Sequence, residues 1–305
     1  MILSTLLQSN EWLSAQRYDF EDGFTMAYTN QLKFDRPNLH FLHGNGFAVR
    51  SYQRFLASFA EDYNLILQEA AGHGGSSTGE RFVGWNETAE RFSISLKAHE
   101  VALPKTENIG VGHSFGGCMT TLMSAQDPTV FDRLILLDPA LSPPRLLWLL
   151  RGASLFGLKG KIPLAKQAKR RRTQWETMDQ VKASFTGRGI FKGWDPLCLD
   201  DYIQHSIRQD ESSGLYQLSC PVWMESDIFA SYPRGLWKAI RSISVPTYII
   251  QGKHSFPYFK EAYRLAERLN SNITVIEVEG GHCFMQEHPE KTAQLIKGLL
   301  GKESK

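Results

Sequence analysis

The stretch that decides the fold reads Ile109-Gly110-Val111-Gly112-His113-Ser114-Phe115-Gly116-Gly117. An apolar run with β propensity leads into it, and the residues that follow have helical spacing. Strand, sharp turn and helix are the context in which a G-x-S-x-G motif presents a reactive serine. Glycine at positions 112 and 116 leaves the space that a strained backbone at Ser114 needs. The alternative is a glycine-rich turn without chemistry, and the flanking strand and helix argue against it.

Composition and charge are those of an ordinary globular enzyme. The 305 residues are 42% hydrophobic and 22% charged, enough for one large α/β domain or a domain with a substantial insertion. The net charge is +2, so nothing global argues for a nucleic-acid partner. No apolar run approaches the length of a membrane span, and the first residues lack the apolar core of a signal peptide. Four scattered cysteines indicate free thiols, and we expect a cytoplasmic protein.

Strands and helices alternate along the first 141 residues and again after residue 242. A hairpin is predicted around Glu21-Asp22-Gly23, followed by short apolar strands at 38–42, 65–67 and 134–137 with helical patterns between them. Such alternation predicts a mostly parallel sheet that helices cover on both faces.

The alternation stops between residues 142 and 242, where the pattern indicates helices and loops and no convincing buried strand. We therefore predict a core domain formed by 1–141 and 243–305, interrupted by a helical lid over 142–242. Because the predicted sheet lies outside this insertion, we expect the lid to be exchangeable without unfolding the sheet.

The order of the motifs resembles the α/β-hydrolase superfamily, in particular the branch with a lid after the sixth strand. The resemblance rests on His43-Gly44, on the glycine loop 72–76, on the serine motif, on Asp138-Pro139 and on His282 before a proline-initiated last helix. It implies an eight-stranded, mostly parallel sheet with helices on both faces, and it covers nearly the whole chain.

Two positions depart from the superfamily pattern. The loop after the fourth strand usually opens with aspartate, and here that place holds Glu69. The strand before Gly252 usually leads into the acid that orients the catalytic histidine, and here Ser255 occupies that position. The acid therefore comes from elsewhere or is missing.

Three residues are the predicted catalytic group. Ser114 is the candidate nucleophile, and it needs a base because a free hydroxyl is a weak nucleophile at neutral pH. His282 is the candidate base, since it follows the last strand in the chain order serine, acid, histidine. Asp138 is the favoured acid, because its strand should neighbour the strand of Ser114; Asp227 or a serine–histidine dyad without an acid are the alternatives. His43 and His113 lie inside turn motifs and are expected to brace backbone, and His73 lies on a glycine loop.

An oxyanion hole needs two backbone N–H groups aimed at the developing charge. One is predicted at Phe115, the residue after the nucleophile and the first of a helix whose N-terminus favours negative charge. The other is expected from the loop after His43-Gly44, at Asn45, with Gly46 as the alternative.

The lid carries two further features with two interpretations each. Its aromatic residues either line an acyl or aromatic pocket, for which we single out Trp148, Phe156, Trp194 and Trp223, or form the core of the lid helices. The basic run from Lys166 to Arg172 either attracts an anionic group or is a solvated helix face.

The sequence thus predicts a serine hydrolase of esterase or lipase type that acts on a small, largely apolar ester, with no metal or organic cofactor. Thioester, lactone and carbon–carbon bond hydrolysis and perhydrolysis use the same residues on the same fold. The alternative from another class is a ligand-binding protein of this fold with little turnover, which the absence of an acid at position 255 leaves open.

Overall fold

The computed structural model describes residues 12–100, 106–147 and 162–301. An eight-stranded sheet is the centre of the molecule, in the order β1-β2-β4-β3-β5-β6-β10-β11. In this sheet β2 runs opposite to the other seven strands, so the sheet is mostly parallel, as predicted. The strands are β1 (Ser14–Phe20), β2 (Gly23–Thr29), β3 (Asn38–Leu42), β4 (Asn64–Gln68), β5 (Asn108–His113), β6 (Arg133–Leu137), β7 (Gln174–Trp175), β8 (Ile207–Gln209), β9 (Tyr216–Leu218), β10 (Thr247–Gly252) and β11 (Ile273–Val278).

Helices lie on both faces of this sheet. In the described residues they are α1 (Gln53–Ala57), α2 (Trp85–Glu100), α3 (Phe115–Gln126), α4 (Pro163–Lys169), α5 (Met178–Phe185), α6 (Pro196–Ser206), α7 (Val222–Phe229), α8 (Leu236–Ser242), α9 (Pro257–Leu269), α10 (Phe284–Glu287) and α11 (Pro289–Gly301), with 3-10 turns at Val49–Tyr52 and Gly189–Phe191. None of these helices combines the length and the apolar character that crossing a bilayer would require.

The central strands contribute side chains to two hydrophobic cores, one on each face of the sheet. In β6, Leu134 and Leu136 belong to one cluster while Ile135 and Leu137 belong to the other. Successive side chains of a strand point to opposite faces, so a strand buried on both faces has to be apolar throughout. This alternation explains the continuous apolar runs in the sequence.

The segment between residues 162 and 242 differs in one respect from the sequence prediction. It contains a small antiparallel sheet, in the order β7-β9-β8, in addition to helices. Its strands are only two or three residues long, too short to leave a period-two pattern in the sequence.

The same segment packs directly on the sheet domain. Trp194 stacks on Phe47 with ring centroids 5.8 Å apart, and both belong to the hydrophobic cluster that covers one face of the sheet. Asp201 accepts a hydrogen bond from Gln53 at 2.7 Å and pairs with Arg54 at 3.0 Å. The predicted lid and the core domain therefore share a continuous interior.

Candidate active site

Ser114 lies at the turn between β5 and α3. Its backbone has a φ of 51°, in the left-handed region that non-glycine residues rarely adopt, and its N–H donates to the Leu137 carbonyl at 3.0 Å. A Cβ on Gly116 would overlap the Leu42 carbonyl and lie 2.7 Å from that of His43. The close approach of α3 to β3 thus requires glycine, and it fixes where the serine hydroxyl stands.

Three side chains from three loops meet at the carboxyl edge of the sheet. His282 Nε2 lies 3.0 Å from Ser114 Oγ, and His282 Nδ1 lies 2.6 Å from Asp138 Oδ2. The strands before these residues are β11, β5 and β6, whose carboxyl ends share one edge because they are parallel. The structure brings together the three residues that the sequence analysis selected for catalysis.

Asp138 is fully buried and surrounded by donors. Besides His282, it accepts the N–H of Gly252 at 3.2 Å and the hydroxyl of Ser255 in a short hydrogen bond. Ser255 occupies the position where the superfamily usually carries its acid, so here it supports an acid that comes from the neighbouring strand. Asp227, the alternative acid, is exposed on α7.

The loop after β3 holds its backbone through contacts with four other parts of the chain. Five of its backbone N–H groups donate hydrogen bonds. The N–H of Gly44 donates to Tyr52 Oη (3.1 Å), that of Gly46 to His73 Nε2 (3.0 Å) and that of Phe47 to the Gly44 carbonyl (3.2 Å). The N–H of Ala48 donates to Ser206 Oγ (3.0 Å), and that of Val49 donates to Glu69 Oε1 (3.1 Å). Of the six backbone N–H groups of residues 44–49, that of Asn45 is the one without an acceptor in the described part of the chain.

A second unpaired donor lies at the start of α3. The N–H of Ser114 donates to the Leu137 carbonyl, and the N–H of Gly116 donates to the His43 carbonyl. The N–H of Phe115 has no acceptor within residues 12–100, 106–147 and 162–301. The first N–H groups of a helix have no intrahelical acceptor, and the helix dipole favours an anion there. Phe115 and Asn45 therefore offer two free donors, whereas the N–H of Gly46 is occupied by His73.

Two buried histidines, His43 and His73, brace this region, and for His43 this agrees with the sequence analysis. His43 Nε2 accepts the N–H of Ala70 at 3.0 Å and His43 Nδ1 donates to the Gly44 carbonyl at 2.8 Å. His73 donates through Nδ1 to the Ala71 carbonyl at 3.0 Å. Burial lowers the pKa of His43 to about 3 and that of His73 to about 4, so both stay neutral and keep one donor and one acceptor.

Comparison with known proteins supplies the family. A family model described as "Alpha/beta hydrolase family" matches residues 41–295. The chain belongs to the α/β hydrolase family.

Curated relatives of this α/β hydrolase match it over part of their length. The Abhydrolase domain-containing protein ACTT2 of Alternaria alternata is 37% identical over 145 residues, 48% of this chain and 47% of that protein. Type I acyl-CoA thioesterase mpaH of Penicillium brevicompactum is 35% identical over 135 residues, 43% of this chain and 28% of that protein. The α/β hydrolase thus spans about half the length, or less, of these two relatives.

Solved structures resemble the hydrolase over nearly all of the chain. E-2-(acetamidomethylene)succinate hydrolase superposes with a TM-score of 0.73 at 19% identity, covering 94% of this chain and 99% of that one. The thioesterase domain from the curacin biosynthetic pathway gives 0.64 at 17% identity, covering 93% and 99%. At these identities the likeness establishes the fold alone.

Aromatic rings lie next to two residues of the candidate site. Phe256 and Phe259 lie 5.3 and 5.7 Å from the His282 ring, and Trp85 lies 4.8 Å from the Phe115 ring. Sequence analysis did not select these residues. The position of Phe256, directly after Ser255, was the signal that could have identified it.

Two of the four predicted substrate-binding residues, Trp194 and Trp223, lie in the described part of the chain. Trp148 and Phe156 lie outside the described residues. Trp194 is buried among Phe47, Phe191 and Tyr202, and Trp223 is half-buried on the cluster that covers the other face of the sheet. The surroundings of Trp194 agree with a lid core, and a substrate contact by any of the four stays a prediction.

In the basic run, Arg171 forms an ion pair with the buried residue Glu225 of α7. Arg171 Nη1 bonds both carboxylate oxygens of Glu225 at 2.8 Å, and Glu225 in turn accepts the side-chain N–H of Asn45 through its backbone carbonyl at 3.1 Å. The ion pair thus joins Arg171 to α7, and the hydrogen bond from Asn45 joins α7 to the loop after β3. Among the described residues, no group of three or more His, Cys, Asp or Glu side chains is arranged to hold a metal ion.

Proposed function

We propose that this α/β hydrolase is a serine hydrolase that cleaves a small, largely apolar carboxylic ester through an acyl-enzyme. The observation that carries the proposal is the unbroken series Asp138–His282–Ser114, with separations of 2.6 and 3.0 Å. A serine becomes nucleophilic at neutral pH when a histidine within hydrogen-bond reach takes its proton and a third group orients that histidine.

In the proposed reaction, Ser114 Oγ attacks the ester carbonyl carbon while His282 Nε2 takes the hydroxyl proton. Asp138 accepts a hydrogen bond from Nδ1 and stabilises the imidazolium that forms. The carbonyl oxygen becomes an oxyanion, which the N–H groups of Phe115 and Asn45 bind. The intermediate then expels the alcohol, which receives the proton from Nε2.

Water completes the cycle by the same route. His282 takes a proton from a water molecule, which attacks the acyl carbon and forms a second oxyanion at the same two donors. Collapse of this intermediate breaks the bond to Ser114 Oγ, which recovers its proton from Nε2, and the carboxylic acid leaves. Proton transfer between Ser114 Oγ and His282 Nε2 takes place across the 3.0 Å that separates them in the resting site.

The surroundings of the site support an apolar substrate. Phe256, Phe259 and Trp85 stand close to His282 and Phe115. Pockets for small molecules are mostly apolar with a few placed polar groups, and aromatic side chains contribute large contact areas there.

Thioester cleavage is a second candidate, because two similar proteins carry the word thioesterase in their names. The same nucleophile, base and oxyanion donors serve both reactions, with a thiol leaving in place of an alcohol. Matched substrates with one acyl chain, presented as an ester and as a thioester, separate the two.

The experiment combines a fluorophosphonate probe with p-nitrophenyl esters and thioesters of graded chain length. We expect the wild-type protein to be labelled and to turn over short and medium chains, and the Ser114→Ala variant to lose both, by about 10⁴-fold or more in turnover. Circular dichroism checks that the variant is folded. Wild-type protein that is neither labelled nor active on any member of the panel would favour a ligand-binding role instead.

A further inference from the structure

A chain of hydrogen bonds runs beneath the catalytic group, from the loop of Asn45 to the backbone of His282. The N–H of Gly44 lies 3.1 Å from Tyr52 Oη, which lies 2.7 Å from His113 Nδ1. His113 Nε2 lies 3.0 Å from the carbonyl oxygen of His282. Tyr52 and His113 are fully buried, so water does not compete for these bonds.

The two ends of the chain fix the direction of every bond in it. The carbonyl of His282 can only accept, so His113 Nε2 carries the hydrogen and Nδ1 is the acceptor. Tyr52 then donates its hydroxyl hydrogen to Nδ1, and its oxygen accepts the N–H of Gly44. Every donor in the series has one acceptor.

His113 also packs against the ring of the catalytic base. The centroids of the His113 and His282 rings are 4.8 Å apart, with planes inclined by 43°. Phe256 and Phe259 contact the ring of His282 as well. The imidazole of His282 is therefore held by its backbone carbonyl and by neighbouring rings.

We propose that His113 and Tyr52 are positioning residues that set His282 and the Asn45 loop at fixed places relative to each other. This inference rests on the proposed function. Proton transfer at Nε2 and oxyanion binding at Asn45 occur at the same moment, so their separation has to match the transition state. One series of hydrogen bonds joins the backbone of Gly44, next to Asn45, to the backbone of His282, and it maintains that separation.

The chain requires a neutral His113. A proton on Nδ1 would face the hydroxyl hydrogen of Tyr52, whose oxygen already accepts from Gly44. Burial, together with the neighbouring His282, lowers the pKa of His113 well below its usual value. A neutral ring at this place also avoids repulsion with the imidazolium that His282 becomes during the reaction.

Gly44 completes the arrangement by its lack of a side chain. A Cβ at this position would lie 2.8 Å from His113 Nδ1 and 3.2 Å from Tyr52 Oη. The first distance is too short for a carbon atom and the second is tight, so a larger residue would displace the His113 ring from its place beside Tyr52. The glycine of His43-Gly44 thus has a role beyond the turn.

The test uses two substitutions of His113 by an amide residue, each of which keeps one of its two hydrogen bonds. In His113→Asn the amide oxygen replaces Nδ1 and accepts from Tyr52, but no donor reaches His282. In His113→Gln the amide nitrogen replaces Nε2 and restores that donor. We expect kcat to fall by about 10- to 100-fold in His113→Asn with KM little changed, and to recover most of the loss in His113→Gln.

Tyr52→Phe provides an independent variant, and it carries the test if His113→Asn does not fold. It keeps the packing of the ring and removes the donor to Nδ1, and we expect a smaller loss in kcat, about 3- to 10-fold. The double variant of Tyr52→Phe with His113→Asn should lose little more than His113→Asn alone, because both act through one chain.

Histidine NMR of the ligand-free protein separates this inference from the proposed function. We expect the ring resonances of His282 to move in His113→Asn and to return in His113→Gln, whether or not esters are turned over. An inactive wild type with this response would reject the proposed hydrolase and keep the positioning role. A folded His113→Asn with His282 resonances and kcat like those of the wild type would overturn the inference.

Discussion

At the scale of the residue, Asp138 combines a strained backbone with a crowded carboxylate. Its φ is 41°, a value that aspartate tolerates better than most residues, and its N–H donates to the Ile250 carbonyl at 2.8 Å. This conformation turns the side chain back toward the neighbouring strand β10, where Gly252 and Ser255 donate to it. Strain that persists in a buried residue points to a functional constraint.

Asp138→Asn should lower kcat by about 10⁴-fold, as the corresponding change does in a serine protease. The amide keeps the shape of the carboxylate but favours the wrong tautomer of His282. Asp227→Asn is the matched control: it makes the same chemical change on an exposed residue, and we expect it to keep full activity. Ester turnover and fluorophosphonate labelling measure the effect. Near wild-type activity in Asp138→Asn would remove this aspartate from the catalytic group.

At the scale of the element, the turn between β5 and α3 depends on the absence of side chains. Gly112 and Gly116 face each other, and a Cβ on Gly112 would lie 2.5 Å from the backbone of Gly116. Protein interiors are close-packed, so a backbone contact of this kind cannot absorb an added carbon. The same proximity brings the N–H of Phe115 to the edge of the sheet.

Gly116→Ala should destabilise the protein by about 3 kcal/mol or prevent folding, because its methyl group would overlap the Leu42 carbonyl. Gly298→Ala provides the control. Gly298 lies on the exposed side of α11 with free space around its Cα, so the same substitution should stabilise by about 0.5–1 kcal/mol. Urea unfolding measures both. Equal stability of Gly116→Ala and the wild type would contradict the packing described here.

The segment that precedes α6 shows how the predicted lid packs on the sheet domain. Trp194 stacks on Phe47, which lies two residues after Asn45, and it also contacts Phe191 and Tyr202. The aromatic residues of this segment thus reach the loop of Asn45, the proposed second oxyanion donor. Because Trp194 is buried between the predicted lid and the sheet domain, we expect its main contribution to be to stability.

Trp194→Ala should lower the free energy of unfolding by about 3–5 kcal/mol, the usual loss for a buried aromatic side chain. Ile190→Ala, on the nearby 3-10 turn, truncates an exposed residue and should change stability by less than about 0.5 kcal/mol. Thermal unfolding and the chain-length profile of ester hydrolysis are measured together. A changed profile at unchanged stability would instead support the predicted substrate contact.

At the scale of the whole molecule, the described interior contains many histidines that are kept neutral. Burial lowers the pKa of His43 and His205 to about 3 and of His40, His73 and His99 to about 4. It also lowers the pKa of His113 well below its usual value. Glu69 is the counterexample, because burial raises the pKa of its carboxyl to about 7.

These shifts predict unfolding in mild acid. Below about pH 6.5 the unfolded chain binds protons on histidines that the folded protein leaves neutral, so stability falls as the pH falls toward 4. Each fully buried histidine contributes about 1.4 kcal/mol per pH unit in this window. Glu69 acts in the opposite direction between about pH 4.5 and 7, but it is a single group.

Urea unfolding at a series of pH values measures this loss, and we expect the midpoint to drop steeply between pH 6 and pH 4.5. His254→Gln, which changes an exposed histidine, should leave the slope unchanged. A midpoint that is constant down to pH 4.5 would contradict the assignment of neutral buried histidines.

The sequence by itself determined the family fold and the most distinctive parts of the site. The apolar runs predicted a sheet buried on both faces, since only a continuous run fills both cores, and G-x-S-x-G in its context selected Ser114. His282 followed from its place after the last strand. These signals are local, because each depends on a few consecutive residues and on the order of elements.

Tertiary structure decided what depends on distances between strands that are remote in sequence. Only the order β5-β6-β10 brings Ser255 to the carboxylate of Asp138, so the unusual residue at position 255 becomes a partner of the acid. Only the network around residues 44–49 leaves Asn45 with a free N–H while His73 occupies that of Gly46. Hydrogen-bond occupancy arises when separate segments pack together, and no spacing along the chain encodes it.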